Sequence, residues 1–373
     1  MSSSQPAPPP SATNATTEAL YIGTASGIAG YAISPNDGSL SALSGSPFAP
    51  SVRALSLIAN PAAPFILAED LNSGYWALRV NAQGALETTA NLPLATNPHG
   101  FPSLGVSASG KTIFLGNYLG PLLVSAHSFD VNTGSISPSP TSQTQFPNGC
   151  GDPSLCSEEI EIMGDSTAPS AEYLWVQFTN CGFHMDCDNP LEPVAVSNGG
   201  ATLAASPVGA TNSGGSSVSA ASVFPGGAVV VQQLTCCTLT SIGSYVLQNG
   251  KLMSAAGCAV ETAACASAWS VAIHPNQTLV MIGTTDNTLL TATRDAAGNL
   301  SMPLATNIRL PMAADKLLLD GSGQHLYVLG SQNLIFGFAV DAATGTLKAI
   351  AGSPWSAPAY TAATGVIAKL PRQ

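Results

Sequence analysis

At 373 residues the chain has the length of two or three ordinary domains, yet only 8% of it is charged, against about a quarter in typical soluble proteins. Ten Lys plus Arg and a net charge of −11 exclude nucleic acid as a partner, since phosphate recognition needs clustered cations, and they disfavour an anionic membrane surface. Hydrophobic residues reach 45%, ample for a core, and 36 Gly with 28 Pro indicate a turn-rich all-β chain without amphipathic helices. No run of 18 apolar residues occurs, so no transmembrane segment is expected.

Residues 1–18 read as a flexible Pro/Ser/Thr-rich tail with neither a basic n-region nor an apolar h-region. Such a spacer follows a removed signal or a lipid-anchored cysteine in other chains, so Met1 is expected to replace one or the other of these segments. From residue 19 to 373 the pattern is that of one domain. It opens on LYIGTASGIAGYAISPNDGSLSALSGSPF (Leu20 to Phe48), and a near copy, HLYVLGSQNLIFGFAVDAATGTLKAIAGSPW (His325 to Trp355), stands close to the other end. Between them a turn rich in Asn, Asp or Gly restarts an apolar strand seven times. Its glycines are 38, 84, 134, 200, 250, 298 and 345, spaced 46 to 50 residues apart except for one interval of 66. The strand restarts fall at Leu40, Leu86, Ile136, Leu203, Leu252, Leu300 and Leu347.

A second set of turns precedes these, at residues 60–64, 107–111, 166–172, 224–227, 274–278 and 320–324. Two turns and four short strands per unit are the signature of a propeller blade. The predicted fold is therefore an all-β, seven-bladed β-propeller of four-stranded blades: 356–373 with 19–48, then 53–95, 98–147, 157–208, 215–257, 267–307 and 313–355. The lone C-terminal strand, Tyr360 to Leu370, is expected to join the N-terminal blade and close the ring, leaving no free sheet edge.

In such blades the loop between strands two and three shares one end with the link to the next blade. Glu69, Asp70, Asn117, Tyr118, Cys181, His184, Cys187, Cys236 and Cys237 are assigned to those loops. Arg53, His99, Cys150, Cys156, Glu158, Cys258, Cys265 and Arg309 are assigned to the links or their edges. All eight cysteines thus fall at one end, and an even number in a Lys-poor chain points to disulfides and an oxidising, extracytoplasmic setting. Cys236 and Cys237 are expected to bond to other loops rather than to each other. The Cys181-x-x-His184-x-x-Cys187 spacing lacks the paired knuckles of a zinc site, so no metal is assigned. Glu158, Glu159, Glu161 and Asp165 open an inner strand and read as a wet channel entrance. Gly105 to Thr112 matches a phosphate-binding G-x-x-x-x-G-K-[ST] loop, but TIFLGNY follows as a strand, so the segment reads as a hairpin. No cofactor is implied.

The GSPF and GSPW endings and the DGSL and TGTL turns resemble the seven-bladed lactonase-like propellers, which include 6-phosphogluconolactonase-type and carboxymuconate-cyclase-like proteins. FILAED (Phe65 to Asp70) is similar to a family strand end that places a glutamate at Glu69. GNYLG (Gly116 to Gly120) is similar to a segment matching Asn117 and Tyr118. The histidine-rich and Arg-His segments of the family's fourth and fifth blades have no counterpart here. The expectation is therefore a binding or scaffold propeller of the cell envelope, with a small molecule, glycan or envelope protein as partner and Asp70, Asn117, Tyr118, Glu158 and His184 as ligand contacts. The alternative that the resemblance implies is a lactone hydrolase using Glu69, His99 and Arg53 or Arg309.

Overall fold

A computed structural model describes residues 18–70, 74–93, 104–117, 123–145, 158–164, 172–178, 180–181, 187–188, 190–197, 202–203, 211–212, 216–224, 227–234, 240–248, 251–258 and 268–372. Among them every named element is a strand, and no helix is long and apolar enough to cross a membrane.

The strands form seven sheets of four or five members and one two-stranded ribbon. The first sheet runs Tyr360–Lys369, Glu18–Thr24, Gly27–Ile33, Leu40–Ala42. The second runs Ala54–Ala59, Phe65–Asp70, Gly74–Val80, Leu86–Leu92, and the third Leu104–Val106, Thr112–Asn117, Leu123–Ser128, Ser142–Gln145. The fourth runs Glu158–Gly164, Glu172–Phe178, Pro190–Ser197, Thr202–Leu203, with Thr211–Asn212 beside its third strand. The fifth runs Ser216–Phe224, Gly227–Leu234, Thr240–Gln248, Lys251–Cys258, and the sixth Ala268–Ile273, Leu279–Thr284, Thr288–Arg294, Leu300–Arg309. The seventh runs Lys316–Leu319, His325–Leu329, Leu334–Val340, Leu347–Ala349. All pairs are antiparallel. The first-mentioned strands of successive sheets touch one another, from Tyr360–Lys369 through each sheet in turn to Lys316–Leu319, which touches Tyr360–Lys369 again.

The sheets stack face to face, which explains why the second strands of the first, second, sixth and seventh sheets are buried on both faces rather than alternating. Of Glu18–Thr24, Ala19 and Tyr21 pack with Ile66, Ala68 and Leu78 of the second sheet. Leu20 and Ile22 face the opposite way, onto Tyr327, Leu329 and Ile335 of the seventh. A strand buried on both faces needs large apolar side chains at every position, each contributing about 1.5–3 kcal/mol. The GSPF and GSPW endings have a common structural cause. Ser46 Oγ accepts from Gly30 N at 2.9 Å and Ser353 Oγ accepts from Gly337 N at 2.9 Å. A Cβ on Gly30 would strike the Phe48 ring and one on Gly337 the Trp355 ring, so each glycine of a third strand is the seat of the aromatic ring that follows Ser-Pro.

Two tiers of contacts tie neighbouring sheets together at the end where the tight hairpins lie. Tyr21 Oη donates to Gly84 O at 2.8 Å and Tyr327 Oη donates to Gly38 O at 2.7 Å, each reaching a positive-φ turn of the adjacent sheet. Asn60 Nδ2 donates to Gly110 O at 2.7 Å, while His274 packs its ring on Gly323. Gly105 to Thr112 is a hairpin, as the following strand requires: Gly110 takes φ +69° and Thr112 N donates to Ser107 Oγ. One expected strand restart is displaced. Ile136 makes only an isolated bridge with Phe129, and the outer strand of the third sheet begins at Ser142. The predicted tail also ends one residue early, because Glu18 already pairs with Lys369 and Ile33.

The candidate site at the loop end of the sheets

The loops between second and third strands, and the links between sheets, lie at the end opposite the tight hairpins. Glu69 and Asp70 are not loop acids, as expected from the sequence, but the last two residues of Phe65–Asp70, each 2% exposed. The strand runs on because both residues find register partners on both sides, Glu69 with Ser56 and Tyr75, Asp70 with Ala54 and Gly74. Asp70 Oδ2 accepts the backbone N–H of Arg53. It occupies the place of Thr24 and Thr284 in the first and sixth sheets, whose hydroxyls donate to Gly27 O and Thr288 O. All three are buried polar strand ends that satisfy backbone groups at a turn or link.

Glu69 departs from the repeat. Its counterparts are Gly23 and Gly283, where a Cβ would come within 2.8 Å of Ala54 O and 2.6 Å of Ala314 Cβ in the next sheet. The second sheet alone of these three carries a side chain there, and it is a carboxylate. Arg53, one residue before Ala54–Ala59, is exposed. Arg309 ends the outermost strand of the sixth sheet, opposite Thr288, and is exposed too. The two arginines therefore belong to opposite edges of different sheets, with Arg53 adjoining Asp70 through its backbone N–H. Asn117 ends the second strand of the third sheet and Glu158 opens the leading strand of the fourth, at the same end of the molecule. Cys181 and Cys187 are register partners in the ribbon Asn180–Cys181 with Cys187–Asp188, and Cys258 ends the outer strand of the fifth sheet. His99, Tyr118, His184, Cys150, Cys156, Cys236, Cys237 and Cys265 lie outside the described residues. Among the described residues no group of three His, Cys, Asp or Glu could hold a metal ion.

Two residues at this end escaped sequence reasoning. The register of Ala268–Ile273 slips between Ala268 and Ser270, so Trp269 is the extra residue of a bulge on a leading strand. The second sheet has the same slip between Ala54 and Ser56, with Leu55 in the equivalent place. A bulge turns its extra side chain out of the ladder. Trp269 is accordingly the one exposed large hydrophobic among the described residues, at 39%. Its indole N–H donates to the Asp315 carboxylate of the seventh sheet. Burial pushes the Asp315 carboxyl above its usual range and the indole bond draws it partly back. Ser270 Oγ donates to Ala314 O at 2.5 Å and Asp315 N to Leu329 O at 2.9 Å, so the backbone beneath both side chains is held. In the sequence AWS reads as ordinary strand, and no periodicity marks a bulge.

The hairpin end holds two described cavities, of about 610 Å³ and 320 Å³, both lined by Glu18, Gly321 and Lys369. Among the described residues, the second, third, sixth and seventh sheets carry a hairpin between their first two strands. In the first sheet those strands are the two ends of the chain, so the corresponding hairpin does not exist. Glu18 fills part of the gap, its Oε2 accepting from Gly321 N at 3.0 Å. The cavities flank that gap and are a consequence of the split sheet. Three of the five histidines are structural at this end: His127 bonds Ser125 Oγ at 3.0 Å and Ser137 O at 2.8 Å, His274 packs on Gly323, and His325 pairs with Asp320 at 2.8 Å.

No protein-family profile matches the chain, and no curated protein does. Solved structures do. A proposed 6-phosphogluconolactonase from Bacteroides fragilis superposes with a TM-score of 0.70 over 97% of this chain and all of its own, at 15% identity. A second, from Bacteroides uniformis, gives 0.68 over 95% at 15% identity, again along its whole length. The periplasmic gluconolactonase of Pseudomonas aeruginosa gives 0.67, also at 15% identity, covering 95% of this chain and all of that one. Antiparallel four-stranded sheets stacked in succession, matched end to end by these structures, give this chain the lactonase-like β-propeller fold.

Proposed function

We propose that the chain is a seven-bladed, ring-closed propeller that works outside the cytoplasm as a binding protein of the cell envelope, taking its ligand at the loop end of the central channel. Closure is supported by the antiparallel pairing of Tyr360–Lys369 with Glu18–Thr24 and by the unbroken succession of touching leading strands. The binding role rests on one observation: among the described residues, the two acids suited to lactone chemistry are buried at the end of one strand, and one of them is committed to a backbone N–H. Asp70 holds a backbone N–H, Glu69 is 2% exposed, and Arg53 and Arg309 sit on different sheet edges. An oxidising location is in keeping with the eight cysteines and with the periplasmic neighbour. Non-reducing peptide mapping tests it: eight free thiols in protein taken from the envelope would remove that support.

A second reading, lactone hydrolysis, is favoured by the end-to-end likeness to proteins named for gluconolactones and by the carboxylate at Glu69, where sister sheets have glycine. Hydrolysis of gluconolactone and 6-phosphogluconolactone, followed by acid release, separates the two. The binding reading expects no rate above buffer. Turnover by the wild type that disappears in Glu69→Gln would establish the enzyme instead.

A further inference from the structure

The first turn of the sixth sheet, at the hairpin end of the molecule, carries Asn276-Gln277-Thr278, an Asn-x-Ser/Thr acceptor sequence for N-linked sugar. Asn276 and Thr278 are exposed, while His274 at the base of the turn is buried against Gly323. The backbone is held firmly: Gln277 N donates to His274 O at 2.7 Å, Asn276 N to His274 Nδ1 at 3.1 Å and His274 N to Leu279 O at 3.0 Å. Gln277 takes φ +63°, and Asn276 Oδ1 accepts the Thr278 N–H at 2.9 Å. Sister turns show that this last bond does not require asparagine. At the same position Ser322 Oγ accepts the Gln324 N–H at 3.1 Å and Ser109 Oγ accepts the Lys111 N–H at 3.4 Å, and the second sheet has Ala62. Nor does the turn require threonine two residues on, where the sisters have Pro64, Lys111 and Gln324. The fold therefore accounts for a short acceptor at this place but not for the pair Asn276 and Thr278.

The same sheet supplies a contrast in Asn299-Leu300-Ser301. Asn299 is half-buried, its Nδ2 donates to Asp295 Oδ2 at 2.8 Å and its backbone N–H donates to Asp295 Oδ1 at 2.8 Å, so the nitrogen that would carry a sugar is engaged by its own turn. A further match, Asn14-Ala15-Thr16, lies outside the described residues. We infer that Asn276 is an acceptor for an N-linked glycan and that Asn299 is not. This rests on the reading that the protein works outside the cytoplasm. In the transfer, Asn276 Nδ2 forms a bond to the anomeric carbon of a lipid-pyrophosphate-linked oligosaccharide. The bond from that carbon to the pyrophosphate oxygen breaks, the amide gives up one proton to the transferase, and the lipid pyrophosphate leaves. A glycan on this turn stands at the end opposite the loops, so it leaves the loop end open to a ligand. It also hydrates the surface of a chain of which only 8% is charged.

The test is peptide mapping by mass spectrometry of the full chain taken from the envelope of the cells that make it, before and after treatment with peptide-N-glycosidase. Disulfides are mapped on the same sample. The peptide holding Asn276 is expected to carry hexose-containing mass that the enzyme removes, leaving an aspartate in place of the asparagine, while the peptide holding Asn299 is unmodified throughout. Thr278→Ala keeps Asn276 and its bond to the backbone, and it is expected to lose the sugar completely. Thr278→Ser is expected to retain it and Asn276→Gln to lose it, and after deglycosylation all three should melt like the wild type. An unmodified Asn276 overturns the inference, and so does sugar on Asn299 or sugar on Asn276 that persists in Thr278→Ala. Paired cysteines together with an unmodified Asn276 sink this inference and leave the extracytoplasmic reading standing. Eight free thiols together with an unmodified Asn276 sink both.

Discussion

Removing residues 358–373 takes away the first strand of the split sheet, and the structure indicates how much that costs. Six residues of Glu18–Thr24 have registered partners in Tyr360–Lys369. At about 1 kcal/mol net per hydrogen bond, the lost ladder is worth about 5 kcal/mol. Val366, Ile367, Ala368 and Leu370, which pack against the first, second and seventh sheets, contribute about another 5 kcal/mol of burial. The total of about 10 kcal/mol is comparable to the entire stability of a typical domain, about 5–15 kcal/mol. The deletion also opens the backbone edge of Glu18–Thr24 to other molecules. Calorimetry and size-exclusion chromatography are expected to show no cooperative transition and progressive aggregation, whereas deletion of residues 1–17 leaves both unchanged. A circular permutant that joins Lys369 to Glu18 through a short glycine-containing hairpin, and opens between Ala296 and Ala297 in an exposed turn, is expected to melt like the wild type. A monomeric truncation with an unaltered transition would refute the reasoning, because it would mean that the terminal strand carries neither edge protection nor core.

Tyr327→Phe removes the donor to Gly38 O and leaves a buried carbonyl without it, which costs about 1–3 kcal/mol and lowers the melting temperature by about 1–4 °C. Tyr21→Phe at the next interface is expected to behave alike, with the two effects adding; no change in either variant would show that these bonds are replaced by water. Glu18 tests the gap left by the missing hairpin. Burial raises its pKa above the usual 4.5, and although the Gly321 N–H opposes this, the net shift is upward. A raised carboxyl favours the folded state when protonated, so its contribution is full below about pH 4.5 and is lost as pH rises through the folded value. Glu18→Gln should therefore be the more stable protein at pH 7 and equal to the wild type near pH 4, as followed by urea melts. A wild type more stable than Glu18→Gln at pH 7 would reverse the assignment.

Period and turn chemistry were readable from the chain alone. Seven recurring turns between apolar runs announce repeated antiparallel units, and the five that lie among the described residues, at Gly38, Gly84, Gly134, Gly298 and Gly345, each use the positive φ that glycine supplies at a reversal. The two GSP-aromatic phrases were visible as repeats for the same kind of reason: Ser46 and Phe48 act on Gly30, and Ser353 and Trp355 on Gly337, within a single sheet. The pairing of the two chain ends was also legible, since Tyr360 to Leu370 has no local partner and Leu20 to Gly23 lacks a first strand. What depends on contact between sheets was not. Glu69 reads like any loop acid until Gly23 and Gly283 are found at its counterparts, and Arg53 and Arg309 read alike although one precedes a leading strand and the other ends an outer one. Trp269 meets Asp315 only because one extra residue slips the register of a strand, and a slip of one leaves the hydrophobic pattern of the sequence unchanged. Local rules act over four or five residues and can be read in order. The placement of a side chain at a boundary between sheets depends on residues about fifty positions away, and that only the folded arrangement decides.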